Sequence, residues 1–355
     1  MPMRKYSLPI LVSICGLFFF LIVHFFFPGQ SFDTFTKEIF CHELSGDTLN
    51  LHYTLTDPSA YGIKETTPSL GSLNRTSMTD DLSYLQKYLK KTTNYLNGRL
   101  NEQDRLTAEI LKWWLEGQIS AGELYYYQEP LGPTLGIQAQ LPVLLAEFSF
   151  RNAEDVDTYL SLLESMPDYF GQIGDFEKEK SERGLFMNDE ILDKILEQCQ
   201  SLFPVNDSHF LVISFEERLS ACGFLTENEK ITYSAQNLRV LNKYVQPAYE
   251  KLCSVLETLR GTGLNRWGLY HTPDGIDYYE HLLKYSIGTD LSMAEIHRML
   301  ELQMENDYET ILYALHQDID AAELISNLPA ENTPTEILTV LQRQIQKDFP
   351  TPDDI

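Results

Sequence analysis

The sequence predicts a mostly α-helical protein, in which one large helical domain follows a single N-terminal transmembrane helix. Three observations predict this class. Apolar residues recur every three or four positions through most of the chain, as they do in amphipathic helices, and strand signals are weak. The 355 residues are 43% hydrophobic, enough for a substantial core. The first apolar stretch differs from the rest, because it runs from Tyr6 to Phe27 without a charged side chain.

That N-terminal stretch reads YSLPILVSICGLFFFLIVHFFF. About 20 apolar residues suffice for a helix to cross a bilayer, and the residues that follow lack the small-x-small cleavage site of a signal peptide. We therefore predict an uncleaved signal anchor at residues 6–27, with a cleaved signal peptide as the alternative. The basic residues in the N-terminal tail (residues 1–5) favour placing that tail on the cytoplasmic side of the membrane. The domain at residues 28–355 is then expected outside the cytoplasm, on the cell membrane.

Helix signals follow one another along this domain. Thr79, Asn101 and Asn152 each stand before a segment with helical periodicity, where capping residues are expected. Acidic residues follow Asn152 in the first turn, where the helix dipole favours them. The helix that begins at Asn101 is predicted to bury one apolar face, formed by Leu106, Ile110, Trp113 and Trp114.

Further helices are predicted in the second half. One follows Asn188, and a long one spans about Ile231 to Leu259 and ends before Gly261. Ser292 and Glu295 have the spacing of a capping box, so another helix begins there. The segment LGPTLGIQAQLP, Leu131 to Pro142, is the largest irregular stretch and is predicted to be a loop.

The charge balance excludes one class of partner. The chain carries 52 acidic against 27 basic residues, a net charge of −25. Nucleic-acid phosphates attract faces rich in lysine and arginine and repel an acidic surface. We therefore predict no nucleic-acid partner.

The cysteines give no metal or redox motif. Cys41, Cys199, Cys222 and Cys253 are widely spaced in the domain, and no Cys-x-x-Cys occurs. Two disulfides in an outward-facing domain and four buried thiols are both open at this point. Cys199 lies on an apolar helical stripe and is predicted to belong to the core.

The segment Tyr270 to His297 holds three of the eight histidines among carboxylates and tyrosines. A zinc site on a helix needs two ligands at i and i+4, but the residue four positions after His281 is Tyr285. His297 and Glu301 have the right spacing, which is also that of a surface ion pair. His42 and Glu43 begin a His-Glu-x-x-His motif that Gly46 interrupts. No metal site is predicted from these residues.

Three stretches together resemble one family. They are FTKEIFCHELSGDTLNLHYTLTDPSAYGI (35–63), LGIQAQLPVLLAEFSFRNAEDVDTYLSLLESMPDYF (135–170) and GLYHTPDGIDYYEHLLKYSIGTDLSMAEIH (268–297). In this order they resemble DUF885, a family of mostly helical, zincin-like proteins that are regarded as zinc-dependent peptidases or hydrolases. The resemblance covers nearly the whole domain. It implies a peptide substrate and, for full-length relatives, a zinc ion.

The chain departs from the family pattern at the metal motif, which is His-Glu followed shortly by Pro-Gly-His. Its single Pro-Gly, at Pro28, is followed by Gln30. The resemblance therefore implies that residues 28–355 match the N-terminal half of the family and end before the metal-binding half. No catalytic residue, metal ligand or cofactor is assigned to this chain. His271, Tyr278 and Tyr279 are predicted to line a cleft, or alternatively to pack at a helix junction.

Three functional hypotheses follow. The first is a membrane-anchored, extracytoplasmic protein of the zinc metallopeptidase type that lacks its metal motif and is inactive as it stands. The second is a non-catalytic helical module that binds peptides or proteins. The third is a decayed coding sequence, which predicts a domain that aggregates through exposed apolar patches.

Overall fold

The computed structural model describes residues 30–64, 67–264 and 268–317, and within these ranges it contains helices and turns but no β-strand. The predicted helical class is thus confirmed for the described part. The basic tail and the predicted signal anchor at residues 6–27 lie outside the described residues. No helix in the described ranges has both the length and the apolar character that crossing a bilayer requires.

The chain divides after Thr289 into two compact units. In chain order the first contains α1 (Phe32–Ser45), α2 (Thr48–Thr54), α3 (Arg75–Leu96), α4 (Glu102–Glu123), α5 (Ile137–Glu147), α6 (Ala153–Glu182), α7 (Asp189–Ser201), α8 (Phe210–Ala221), α9 (Glu227–Val240), α10 (Gln246–Thr258) and α11 (Gly275–His281). The second contains α12 (Met293–Gln317). Short 3₁₀ turns lie at Pro58–Tyr61, Tyr125–Tyr127 and Leu269–His271.

The 30-residue helix α6 is the centre of the main core. Asn152 caps it as predicted, because the Asn152 side chain accepts a hydrogen bond from the Asp155 N–H. Leu163 and Met166 are fully buried on α6. Helices α5, α7, α8, α9 and α10 contribute many of the other core side chains, and the rest come from α2, the connecting segments and the π-helical segment described below. The predicted core position of Cys199 on α7 is confirmed, since that side chain is fully buried.

Helices α9 and α10 form one continuous rod, as the sequence predicts for about Ile231 to Leu259. The observed rod runs from Glu227 to Thr258 and contains one π-helical segment, Leu241–Val245, which packs against α6. Gly261 follows with a φ of +79°, a left-handed conformation that glycine adopts readily.

A second core lies between α1 and the α3–α4 hairpin. Phe35 on α1 is fully buried and stacks on Tyr88 of α3, with ring centroids 5.6 Å apart. The buried residues contributed by α4 are Ala108 and Leu115, whereas Ile110 is 59% exposed. The predicted apolar face of α4 is therefore wrong for three of its four members, whereas the fourth, Trp114, is partly buried and packs against this core. The exposed members of the predicted face are Leu106, Ile110 and Trp113.

Two predicted boundaries are also wrong. Helix α3 begins at Arg75, capped by Asn74, and Thr79 lies inside it, where its hydroxyl donates to the Arg75 carbonyl. The predicted loop Leu131–Pro142 becomes helical at Ile137, and Pro142 is buried within α5. Proline cannot donate to the carbonyl four residues earlier. That carbonyl, of Gln138, accepts a hydrogen bond from the Tyr249 hydroxyl at 2.8 Å instead.

In the second unit, α12 begins at the predicted capping box. The Ser292 hydroxyl accepts from the Glu295 N–H, and the Glu295 carboxylate accepts from the Ser292 N–H at 2.8 Å. Several large apolar side chains of this helix are exposed, among them Leu300, Met304, Tyr308 and Ile311.

Candidate functional site

A tyrosine in the turn after α4 holds the segment 269–281 in place. The Tyr127 hydroxyl donates to the carbonyl oxygen of Pro273 and lies 2.8 Å from the hydroxyl oxygen of Thr272. The Tyr127 ring stacks on Tyr278 of α11, with centroids 4.3 Å apart. Tyr127 is buried, so this junction is a fixed part of the unit.

A close turn inside this segment requires glycine. A Cβ at Gly275 would lie 1.7 Å from the carbonyl oxygen of Leu269, so the chain can pass there only without a side chain. Asp274, just before it, has a φ of 55°. The Thr272 hydroxyl donates to the same Leu269 carbonyl at 2.7 Å and closes the turn.

The three predicted lining residues differ in their surroundings. Tyr278 is half-buried against Tyr127, whereas Tyr279 and His271 are exposed. The His271 ring meets the Tyr270 ring edge-on, with centroids 5.2 Å apart. None of the three predicted residues borders the cleft or the groove described below. Their role in lining a cleft stays a prediction.

His281 joins α11 to α4. Its Nδ1 lies 2.9 Å from the Ser120 hydroxyl oxygen, and its ring lies beside Tyr285, with centroids 5.2 Å apart. Burial lowers the pKa of His281 and favours the neutral imidazole. These contacts give His281 a packing role at the end of α11.

A small cleft opens beside the tyrosine junction. It has a volume of about 220 Å³. Its walls come from the turn after α4, the chain before α7 and the segment that starts at Leu269, and they consist of Tyr126, Tyr127, Glu129, Leu185, Phe186, Met187, Asn188, Ile191, Leu269 and Thr272.

Buried charges lie next to this cleft. Lys180 of α6 is fully buried, and its Nζ lies 3.0 Å from both the Glu129 carboxylate and the Gln128 carbonyl. Glu177, one turn earlier, is also fully buried, and neither carboxylate oxygen has a hydrogen-bond partner among the described residues. Burial raises the pKa of Glu177 to about 7, although Lys180 acts in the opposite direction.

A larger groove lies between α2, α5 and α6. It has a volume of about 370 Å³, and its exposed lining is mostly apolar. Its walls are Leu49, Tyr53, Leu70, Ile137, Leu141, Leu144 and Tyr169, and the polar residues along it are Asp47, Asn50 and Gln140. A concave apolar site with a few polar groups is typical of ligand-binding pockets, which span roughly 300–1,000 Å³.

Hydrogen bonds hold α2 at one side of the groove. The Asp47 carboxylate caps α2 by accepting from the N–H of Leu49 at 2.7 Å. The Tyr53 hydroxyl donates to the Leu144 carbonyl of α5 at 2.6 Å. At the back of α2, Arg151 donates to the His52 carbonyl at 2.8 Å. The groove wall is therefore fixed at both ends of α2.

The surroundings keep the groove's ionisable rings neutral. Burial, followed by the nearby Glu147, raises the pKa of Tyr53. Burial, followed by Asp47, raises the pKa of Tyr169. Behind the groove, the His52 ring stacks on Phe148 with centroids 3.7 Å apart, and its burial lowers the pKa of His52 to about 4. At neutral pH these rings are uncharged, which suits an apolar ligand.

The family model described as "Bacterial protein of unknown function (DUF885)" matches residues 58–348, most of the chain. The chain belongs to the DUF885 family. The resemblance stated from the three sequence stretches is confirmed at this level. No curated protein matches this chain.

A solved structure shares the fold of this DUF885 protein. It is the crystal structure of a protein described as a putative lipoprotein from Colwellia psychrerythraea, with a TM-score of 0.69 and 12% sequence identity. The match covers 81% of this chain and 52% of the other, so this chain spans about half the length of that protein. At this identity the likeness shows the fold alone.

The described residues of this DUF885 protein do not fit a zinc site. They contain no group of three or more histidine, cysteine, aspartate or glutamate residues placed to hold a metal ion. Three of the described histidines lie near one carboxylate each: His42 is 3.7 Å from Glu43, His52 is 3.8 Å from Asp155, and His297 is 3.1 Å from Glu301. Catalytic zinc requires three protein ligands. We therefore assign no chemical step to a metal in the described part of the chain.

Sequence reasoning missed the groove because it placed the segment before Pro142 in a loop. One signal could have found it: Val143 and Leu144 follow Pro142 as adjacent apolar residues, and adjacent side chains on a helix point about 100° apart. The side chains of Val143 and Leu144 therefore cannot both pack into one narrow core contact, which indicates a second apolar surface on this helix. In the structure Leu144 is 37% exposed and lines the groove, while Val143 is 52% exposed and does not line it.

Proposed function

We propose that this protein is a peptide-binding module, and that the groove between α2, α5 and α6 receives an apolar side chain of the bound peptide. The groove itself is the observation that carries the proposal. Its leucine, isoleucine and tyrosine walls favour apolar groups, since each buried methylene contributes about 0.8 kcal/mol. The amides of Asn50 and Gln140 can donate to and accept from a peptide backbone alongside.

Family membership supports a peptide as the ligand class. The resemblance from sequence implies peptide substrates for full-length DUF885 proteins, and the chain belongs to that family. We propose that the described helical body holds the peptide without cleaving it. A peptidase-type role, in which a metal-binding part outside the described residues performs the cleavage, is the alternative.

The proposal is tested with two adjacent residues of α5. Leu144 lines the groove and Val143 does not, although both are partly exposed. The full-length protein is mixed with fluorescein-labelled nonapeptides that carry either leucine or serine at the central position, and binding is followed by fluorescence anisotropy. We expect the leucine peptide to bind at least about tenfold more tightly, a difference of about 1.4 kcal/mol.

The substitution Leu144→Asp places a carboxylate in the groove, so it should remove most of that preference. Val143→Asp adds the same charge one residue away and should leave the preference unchanged. Circular dichroism is used as a control to check that both variants are folded. Equal binding of the two peptides by the wild-type protein, or equal loss in both variants, would contradict the proposal.

We also propose that residues 6–27 anchor the protein in the membrane, with the helical body outside the cytoplasm. Two observations support this: the uncharged apolar sequence of Tyr6–Phe27, and the description of the structurally similar protein as a putative lipoprotein. The test is fractionation followed by protease treatment of intact spheroplasts. The protein should sediment with membranes and be degraded from outside. Protection from the protease in intact spheroplasts would contradict this orientation.

A further inference from the structure

The end of the α3–α4 hairpin, residues 90–105, lies beside the point where the described chain begins. The Tyr95 hydroxyl in the last turn of α3 donates to the Gln30 carbonyl at 2.5 Å. Helix α1 begins two residues later, and the rings of Phe32 and Tyr95 meet edge-on with centroids 5.3 Å apart. Phe32 is buried. The chain at Gln30 is therefore fixed against the hairpin end.

This contact limits how far the hairpin end can lie from the N-terminal apolar segment. The apolar sequence ends at Phe27, three positions before Gln30. An extended chain advances at most about 3.6 Å per residue, so Gln30 lies within about 11 Å of Phe27. The headgroup layer on each side of a bilayer is roughly 5–7 Å thick. If residues 6–27 span a membrane, the hairpin end is held close to the lipid headgroups.

The hairpin end differs in charge from the rest of the chain. Residues 82–101 contain four basic and no acidic residues, although the whole chain has 52 acidic against 27 basic residues. The basic residues at this end of the unit are Lys37, Lys87, Lys90, Lys91, Arg99 and Arg105. The acidic residues at the same end are Asp33, Glu38, Glu102 and Asp104. Basic side chains therefore outnumber acidic ones here, in a protein whose overall charge is strongly negative.

Two of these basic side chains are available to bind an anion. Lys90 and Arg99 are exposed, and neither takes part in an ion pair with another described residue. By contrast, Lys91 lies 3.7 Å from the Glu38 carboxylate, and Arg105 donates to the Leu96 carbonyl at 3.4 Å. Lys90 and Arg99 can therefore contact a phosphate group without first giving up a carboxylate partner.

We propose that the hairpin end is a lipid-contacting surface, which holds the helical body against anionic phospholipid headgroups of the membrane. This inference rests on the membrane anchoring proposed above. An anionic bilayer surface attracts basic segments close to it, and the attraction falls off within a Debye length, about 8 Å at physiological ionic strength. The contact to Gln30 keeps the hairpin end near this range. The acidic remainder of the surface is repelled, so the contact orients the body relative to the membrane.

The test uses the full-length protein in nanodiscs made of phosphatidylcholine, either alone or with about a quarter of phosphatidylglycerol. Arg99→Lys keeps the positive charge and places a reactive amine in the turn. Exposed lysines are acetylated with N-acetoxysuccinimide, an uncharged reagent, and the rate at each position is measured by peptide mass spectrometry. We expect acetylation at positions 90 and 99 to be at least about threefold slower in the anionic discs. The exposed Lys178 and Lys194 should react equally in both discs.

Two sets of substitutions with the same change in net charge test the cause of this protection. In the Arg99→Lys protein, Lys87→Glu together with Lys90→Glu should abolish the slow acetylation at position 99. Lys178→Glu together with Lys194→Glu should leave it in place. All four lysines are exposed, and circular dichroism checks that the variants are folded. Sodium chloride at about 0.5 M should also abolish the protection, because it screens the attraction.

The possible failures of the anchoring and of the lipid contact can be told apart. Protein that does not enter the nanodiscs would contradict the anchoring, and this inference with it. Equal acetylation at positions 90 and 99 in both kinds of disc, by protein that has entered them, would overturn this inference and leave the anchoring intact. Loss of protection in both sets of substitutions would also overturn it, because net charge and not the hairpin end would then be responsible.

Discussion

At the scale of single residues, Glu177 is the clearest departure from what its sequence neighbourhood suggests. Glutamates near a helix end are usually solvated, yet this side chain is fully buried beside Lys180. Because burial raises its pKa from an ordinary 4.5 to about 7, the folded state binds the proton more tightly than the unfolded chain does. The folded protein therefore loses stability as pH rises from about 4.5 to about 7.

This predicts that the substitution Glu177→Gln stabilises the protein, by an amount that depends on pH. The amide has nearly the same shape and cannot ionise, so the variant should have a higher Tm than the wild type above about pH 7. The gain in the free energy of unfolding is on the order of 3 kcal/mol, since the pKa rises from 4.5 to about 7 and one unit of pKa corresponds to about 1.4 kcal/mol. It should shrink to near zero below about pH 4.5, where both states of the wild type are protonated. Thermal unfolding across this pH range measures it.

Glu182→Gln is the matched control for that measurement. Glu182 is exposed in the last turn of the same helix, and its change alters the net charge equally. An exposed substitution of this kind changes stability by no more than about 0.5 kcal/mol. If Glu177→Gln and Glu182→Gln had parallel Tm curves against pH, the assigned burial of Glu177 would be wrong.

At the scale of helices, the caps were more predictable than the faces. Asn101, Asn152 and Ser292 were expected to cap helices from local sequence, and they do so. The start of α3 was misassigned to Thr79, because Asn74 lies before a polar first turn that carries no hydrophobic period. A cap acts within one turn and is therefore visible in sequence, whereas the buried face depends on which neighbours are present.

The corrected start of α3 gives a second prediction. The Asn74 side chain accepts from the Ser77 N–H at 2.9 Å, while Thr79 only donates to a carbonyl within the helix. Asn74→Ala should lower the free energy of unfolding by about 1 kcal/mol, as the loss of an N-cap does. Thr79→Ala should cost less than about 0.5 kcal/mol. Urea unfolding of both variants compares them, and a larger loss for Thr79→Ala would restore the boundary predicted from sequence.

At the scale of the whole molecule, charge is the dominant property. A net charge of −25 in a 355-residue chain produces repulsion among the acidic side chains, which destabilises the compact folded state. Several ion pairs in the described ranges are exposed, such as Lys194 with Glu190 and Lys178 with Asp175. Exposed pairs contribute little to stability, about 0–1 kcal/mol each. We therefore expect the repulsion among the many acids to outweigh them.

We predict that salt stabilises this protein. Raising the ionic strength from about 0.01 M to about 0.15 M shortens the Debye length from about 30 Å to about 8 Å and screens the repulsion. The Tm in sodium chloride should rise by a few degrees over this range. Sucrose at matched osmolality supplies no screening and serves as the control. A Tm that fell with sodium chloride would show that attractive ion pairs outweigh the repulsion.

The groove was not predicted from the sequence, whereas the helical fold was. Tyr278 was predicted to line a cleft, which stays a prediction, and the structure packs it on Tyr127, which lies about 150 positions away in sequence. The groove escaped detection because its walls come from α2, α5 and α6. A concave surface is a property of several elements at once, and no periodicity within one segment describes it.

The sequence by itself determined the helical class, most helix caps, the acidic character and the family, because each depends on local patterns or on composition. Only the tertiary structure decided which side of α4 is buried and how α5 accommodates Pro142. The physical reason is the same in each case. The carbonyl that Pro142 leaves free is satisfied by the Tyr249 hydroxyl from another helix, and a partner distant in sequence is supplied only when the chain has folded.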